Sequence, residues 1–90
     1  MNQYIRTDDA IFSRIGAEFV ALNVQRGHCY GFNETASAVW ELLDRPQNLD
    51  SLCASLASDF AIDRESCRGE VAALLDELVG EGLARVLSAN

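Results

Sequence analysis

His28 and Cys29 are the neighbouring side chains best suited to nucleophilic chemistry, a thiol beside the chain's only imidazole. A cysteine nucleophile works as a thiolate activated by a base within hydrogen-bond reach. The surrounding segment reads as a strand, however, and consecutive strand side chains point to opposite faces, so the two cannot readily pair. Cys53 and Cys67 could approach His28 only through the fold. The three cysteines are widely separated, odd in number and without a Cys-x-x-Cys spacing, which argues against a zinc site or a disulfide framework. They are expected to be reduced thiols packed as small apolar side chains. Gly80-Glu81-Gly82 follows a helix rather than preceding one and has no accompanying lysine, so it reads as a helix terminator and not a phosphate loop. The acidic pairs Asp8-Asp9 and Asp76-Glu77 lack calcium-loop spacing and read as solvated charge. No catalytic residue, metal site or cofactor is expected, and the chain is read as a non-enzyme.

The elements that would position these residues change period along the chain. Ala10 to Ile15, Phe19 to Val24 and His28 to Phe32 are rich in strand-forming residues, with Gly16-Ala17 and Gln25-Arg26-Gly27 as turns. In the third strand His28, Tyr30 and Phe32 share one face and Cys29 and Gly31 the other. Asn33 then caps a helix opening on Glu34, with Ala36, Val39, Trp40 and Leu43 along one stripe. Asp44-Arg45-Pro46 stops it. Asn48 caps a second helix whose inner face is Leu49, Leu52, Cys53, Leu56 and Phe60. Asp63 caps a third, running to about Glu81 and ended by Gly82. Leu83 to Leu87 reads as extended.

The third helix carries two adjacent apolar stripes, Cys67, Val71, Leu74 and Leu78, and Arg68, Ala72, Leu75 and Val79. Such an arc is wider than one packing neighbour requires. Either the helix is central and covered on two sides, or part of the arc lines a groove for a partner. The expected architecture is α+β: a three-stranded antiparallel sheet followed by a three-helix bundle, winged-helix-like, in one domain over residues 1–90 with its core at about 10–87.

Charge narrows the function. Seven arginines, no lysine and fourteen acids give a net charge of −7, which opposes binding to phosphate backbones. Over the third helix, Arg64 and Arg68 face Glu65, Glu70, Asp76, Glu77 and Glu81, a local net of −3. A helix-turn-helix would need the opposite sign, so a DNA-binding regulator is disfavoured and no nucleic-acid partner is expected. No apolar run is long enough to span a bilayer and the start has no signal-like pattern, so a cytoplasmic protein without a membrane partner is expected. A meander leaves edge strands whose free backbone groups can accept an extended peptide as a further strand. The alternatives are an edge covered by the fold or by a homodimer, including a strand-swapped one, and a winged-helix-like scaffold for protein assembly.

Gly27-His28-Cys29-Tyr30-Gly31-Phe32-Asn33-Glu34-Thr35-Ala36, Val39 to Asp44, Leu49 to Leu52, Val71 to Leu78 and Gly82-Leu83 together form a distributed pattern. Over about Ala10 to Val86 it resembles the PqqD-like family and the wider set of RiPP recognition elements, including the leader-binding B proteins of lasso-peptide pathways. The resemblance implies an adaptor that binds the leader of a ribosomally made precursor peptide and delivers it to a modifying enzyme. That enzyme would be a leader peptidase or a radical S-adenosylmethionine enzyme. It further implies that the leader docks antiparallel along His28, Cys29, Tyr30, Gly31 and Phe32, against Arg68, Ala72, Leu75 and Val79 of the third helix, with Val71 sharing the groove. The quinone-cofactor branch usually carries a Pro-Glu pair before the first helix. Here Gln25-Arg26-Gly27 and Cys29-Tyr30-Gly31 stand instead, closer to the lasso-type members.

Overall fold

The computed structural model describes residues 2–8, 10–60 and 62–87, with Asp9 and the Arg64 side chain outside the described set. The strands are β1 (Gln3–Arg6), β2 (Ala10–Ile15), β3 (Glu18–Asn23), β4 (His28–Gly31), β5 (Gln47–Asn48) and β6 (Ala84–Leu87). The helices are α1 (Glu34–Leu42), α2 (Leu49–Phe60) and α3 (Arg64–Gly80). The α+β class and all three helices stand where the sequence places them. The expected meander is there too, antiparallel in the order β2-β3-β4.

A second sheet was not expected. Gln3–Arg6 pairs antiparallel with Ala84–Leu87 on one side and Gln47–Asn48 on the other, in the order β5-β1-β6. Its strands are short, and β1 finds its partner at the far end of the chain, so no local turn announces the pairing. Thr7 reinforces the junction, with its N–H donating to Leu83 O and its hydroxyl to Gly82 O, both at 3.0 Å.

Local chemistry explains the helix limits. Asn33 Oδ1 accepts the Ala36 N–H at 2.8 Å, and Asn48 Oδ1 accepts that of Ser51 at 2.8 Å. Asp63 accepts the Ser66 N–H at 3.2 Å. Each satisfies a donor that the first helical turn leaves unpaired. At the end of α3, Gly82 N–H reaches Val79 O at 3.1 Å and Leu83 N–H reaches Leu78 O at 2.9 Å, a Schellman closure. The closure needs a left-handed residue at Gly82, whose φ is 72°.

The core lies between the meander and the helices. Phe19 and Ala21 project inward from β3. They meet Phe32, Val39, Trp40 and Leu43, and beyond them Leu52, Leu56, Leu75 and Leu78. Trp40 is fully buried, stacked on Phe32 at 5.1 Å and edge-on to Phe12 at 5.5 Å. Ser37, also buried, accepts the Phe19 N–H at 2.8 Å and locks α1 to β3. The outer face of the meander stays open, with Ile11 62% and Ile15 68% exposed.

Candidate functional site

The site begins with the free edge of β4. Phe32 N–H donates to Phe19 O at 2.9 Å, and the register pairs Ala21 with Tyr30 and Asn23 with His28. Antiparallel ladders alternate bonded and non-bonded pairs. The backbone groups of His28, Tyr30 and Phe32 therefore face β3, while those of Cys29 and Gly31 face away from it. Since β4 is the last strand of its sheet among the described residues, the Cys29 and Gly31 groups are open to an added strand.

The side chains divide the other way. Phe32 is buried on Trp40, and its ring centre lies 4.9 Å from that of Tyr30. The Tyr30 hydroxyl donates to Glu77 Oε2, and His28 Nδ1 lies 3.2 Å from Glu81 Oε2. Burial first, then the hydrogen bond to Glu77 and the charges of Glu77 and Glu81, push the Tyr30 phenol up to about 12. The inner face of β4 thus looks across a gap at α3. That gap is a cavity of about 400 Å³. It is lined by Tyr30 and Gly31, by Asn33, Thr35, Ala36 and Val39, and by Glu70, Val71, Ala73, Leu74 and Glu77.

Of the residues expected at the site, Tyr30, Gly31 and Val71 line the cavity, whereas His28, Cys29, Phe32 and the rest of the helical set do not. Arg68 turns to α2 and pairs with Asp50. Leu75 is 1% exposed and belongs to the core. Ala72 and Val79 are half-buried and do not line the cavity. The groove face is Glu70, Ala73, Leu74 and Glu77, about half a turn of helix from the expected set, because α2 covers the Arg68 side. In the sequence Leu74 belongs to the stripe with Cys67, Val71 and Leu78, and Asp76-Glu77 reads as solvated charge. The one sequence signal for this face is the flanking of Leu74 by Glu70 and Glu77, at i−4 and i+3 on the same side of the helix.

The nucleophile reading finds no geometry to support it. The His28 ring turns to Glu81, whereas Cys29 lies on the opposite face of β4 and is exposed. Cys53 and Cys67 are buried together between α2 and α3, and burial, followed by a hydrogen bond between the two, raises the Cys67 thiol. A thiol held protonated is a poor nucleophile and a poor metal ligand. Among the described residues no group of three His, Cys, Asp or Glu side chains could hold a metal ion. None of the described helices is long and apolar enough to cross a membrane.

Residues 18–84 match the family described as Coenzyme PQQ synthesis protein D (PqqD). No curated protein matches the chain. TbiB1, solved in complex with the TbiA(beta) leader peptide, superposes with a TM-score of 0.84 at 20% identity, over 94% of this chain and 99% of that one. A lasso peptide synthetase B1, solved complexed with the leader peptide, gives 0.76 at 23% identity, over 91% and 96%. At these identities the likeness is one of fold.

Proposed function

Because this chain belongs to the PqqD family, we propose that it is a leader-peptide-binding adaptor, which holds a ribosomally made precursor peptide for a separate modifying enzyme. The observation that carries this reading is the unpaired edge of β4 standing beside a cavity walled by α3. An extended peptide added to that edge gains main-chain hydrogen bonds from Cys29 and Gly31, which give affinity regardless of sequence. Its alternate side chains enter the cavity, which gives preference. The peptide-facing residues of this proposal are His28 to Gly31 on the strand side and Glu70, Val71, Ala73, Leu74 and Glu77 on the helix side.

The adaptor is non-catalytic in this reading, since the His28, Cys29, Cys53 and Cys67 side chains stand in no nucleophile–base arrangement. Two reduced thiols side by side in the core suit a cytoplasmic setting. Of the two enzyme classes, the leader peptidase of a lasso-type pathway is favoured by the fold neighbours and by the missing Pro-Glu pair. DNA binding is disfavoured by the exposed acids Glu65, Glu70, Asp76 and Glu77 on α3.

The test is calorimetric titration of the protein with the leader peptide encoded beside it. Saturable binding at micromolar concentration is expected. No saturable binding, together with no precursor gene in the neighbourhood, overturns the proposal.

A further inference from the structure

We infer that the groove selects a cationic strand: the bound peptide carries a lysine or arginine on its inward face opposite Tyr30 or His28, near an apolar side chain over Leu74. This rests on the peptide-binding reading above and concerns only which peptide is taken.

Two contacts set the alignment of strand and helix. His28 meets Glu81 and Tyr30 meets Glu77. Two strand residues advance about 6.8 Å and four helical residues about 6 Å, so β4 and α3 run past each other nearly in step. A strand added outside β4 shares its inner face at the positions opposite His28, Tyr30 and Phe32. Kept in step, those side chains meet Glu81 and Glu77 at one end, Leu74 and Ala73 in the middle, and Glu70 beyond.

The charges there are of one sign. No basic side chain lines the cavity among the described residues. Arg26 and Arg68 are engaged elsewhere, on Gly80 O and on Asp50. The Tyr30 hydroxyl uses one oxygen of Glu77, and a carboxylate can accept further donors. The apolar wall of Val71 and Leu74 lowers the local dielectric, which strengthens any ion pair formed against it. The Tyr30 phenol is raised chiefly by burial, then by its hydrogen bond to Glu77, with the charges of Glu77 and Glu81 adding in the same direction. A neutral leader would cover these acids without supplying a counter-charge, and an acidic one would be repelled.

The experiment pans phage-displayed random peptides, long enough to span the strand, against the intact protein. Parallel selections use Glu77→Gln, Glu81→Gln and, as an exposed acid outside the groove, Glu41→Gln, each checked for native circular dichroism. The expected binders carry a basic residue at fixed spacing from an apolar one. Glu77→Gln or Glu81→Gln should weaken the best binder about twofold to fivefold, the upper range of an exposed ion pair, with Glu41→Gln unchanged. Binders without a basic excess overturn the inference and leave the peptide site standing. So does an equal loss in Glu41→Gln, which would assign the effect to net charge. Recovering no binder at all overturns both.

Discussion

Gly31→Pro separates binding at the β4 edge from everything else the domain does. The Gly31 N–H points off the free edge, so proline removes a donor that the sheet itself does not use. Proline is tolerated on an edge strand when the lost N–H faces solvent. Gly31 is not among the positive-φ glycines, and a Cβ built on it meets nothing within 4 Å. Tyr30, the residue before it, is already extended as proline requires. Folding stability should therefore change by less than about 1 kcal/mol. Binding loses one main-chain hydrogen bond, and the ring then holds the docked strand off, stretching the bond to the Gly31 carbonyl as well. At about 1 to 1.5 kcal/mol for each bond, affinity should fall by roughly 30- to 150-fold. Fluorescence anisotropy with a labelled leader peptide measures the loss and thermal circular dichroism checks the fold. Gly31→Ala, whose methyl group faces open space, should bind within about twofold of the original. A folded Gly31→Pro protein that binds within threefold of the original would refute docking on β4.

Four further outcomes are expected. Leu74→Asp should leave a folded protein whose peptide affinity drops about tenfold or more, whereas Leu75→Asp, burying an unpaired charge, should unfold the domain in a denaturant titration. Ser37→Ala strands the buried Phe19 N–H and should cost about 1–3 kcal/mol, lowering the melting temperature by several degrees or more. Tyr30 should ionise with a midpoint near 12 in a spectrophotometric titration, and Glu77→Gln should lower that midpoint. Since its folded pKa lies above the ordinary 10.0, the stability Tyr30 contributes is present below pH 10 and is lost as pH rises towards about 12. With a disulfide reagent, Cys29 alone should react quickly in the native protein, with Cys53 and Cys67 following only on unfolding.

The parts legible in the sequence are those whose cause is local. Asn33, Asn48, Asp63 and Gly82 each bound a helix through bonds made within a few residues, so composition and spacing place them well. The alternation of His28, Tyr30 and Phe32 against Cys29 and Gly31 likewise depends only on the pleat. What escaped is set by distant partners. Gln3–Arg6 becomes a strand because Ala84–Leu87 is there to pair with it. The groove face of α3 is the subtler case. Leu74 and Leu75 are equally apolar and adjacent, so periodicity cannot rank them. The choice falls to α2, which takes the side marked by Arg68 and Asp50 and leaves Leu74 to the cavity.

That division of α3 works only if β4 is held at a fixed distance from it, and the structure shows what holds it. Asn23, buried at the end of β3, donates through Nδ2 to Gly82 O at 2.8 Å and accepts the Arg26 N–H at 3.0 Å. Arg26 in turn places its guanidinium on Gly80 O, where the carbonyl end of the helix dipole favours a cation. The β3–β4 turn is thereby strapped to the last turn of α3, the same turn that sends Glu77 and Glu81 toward Tyr30 and His28. A Cβ at position 82 would lie 2.6 Å from Asn23 Nδ2, so the glycine that ends the helix also admits the strap. Edge and groove are accordingly set before any peptide arrives, which spares the complex the entropy of ordering them. Loosening the strap by Asn23→Ala should therefore weaken binding beyond its effect on stability. A Gly31→Pro substitution, by contrast, leaves the strap intact and removes only the contact.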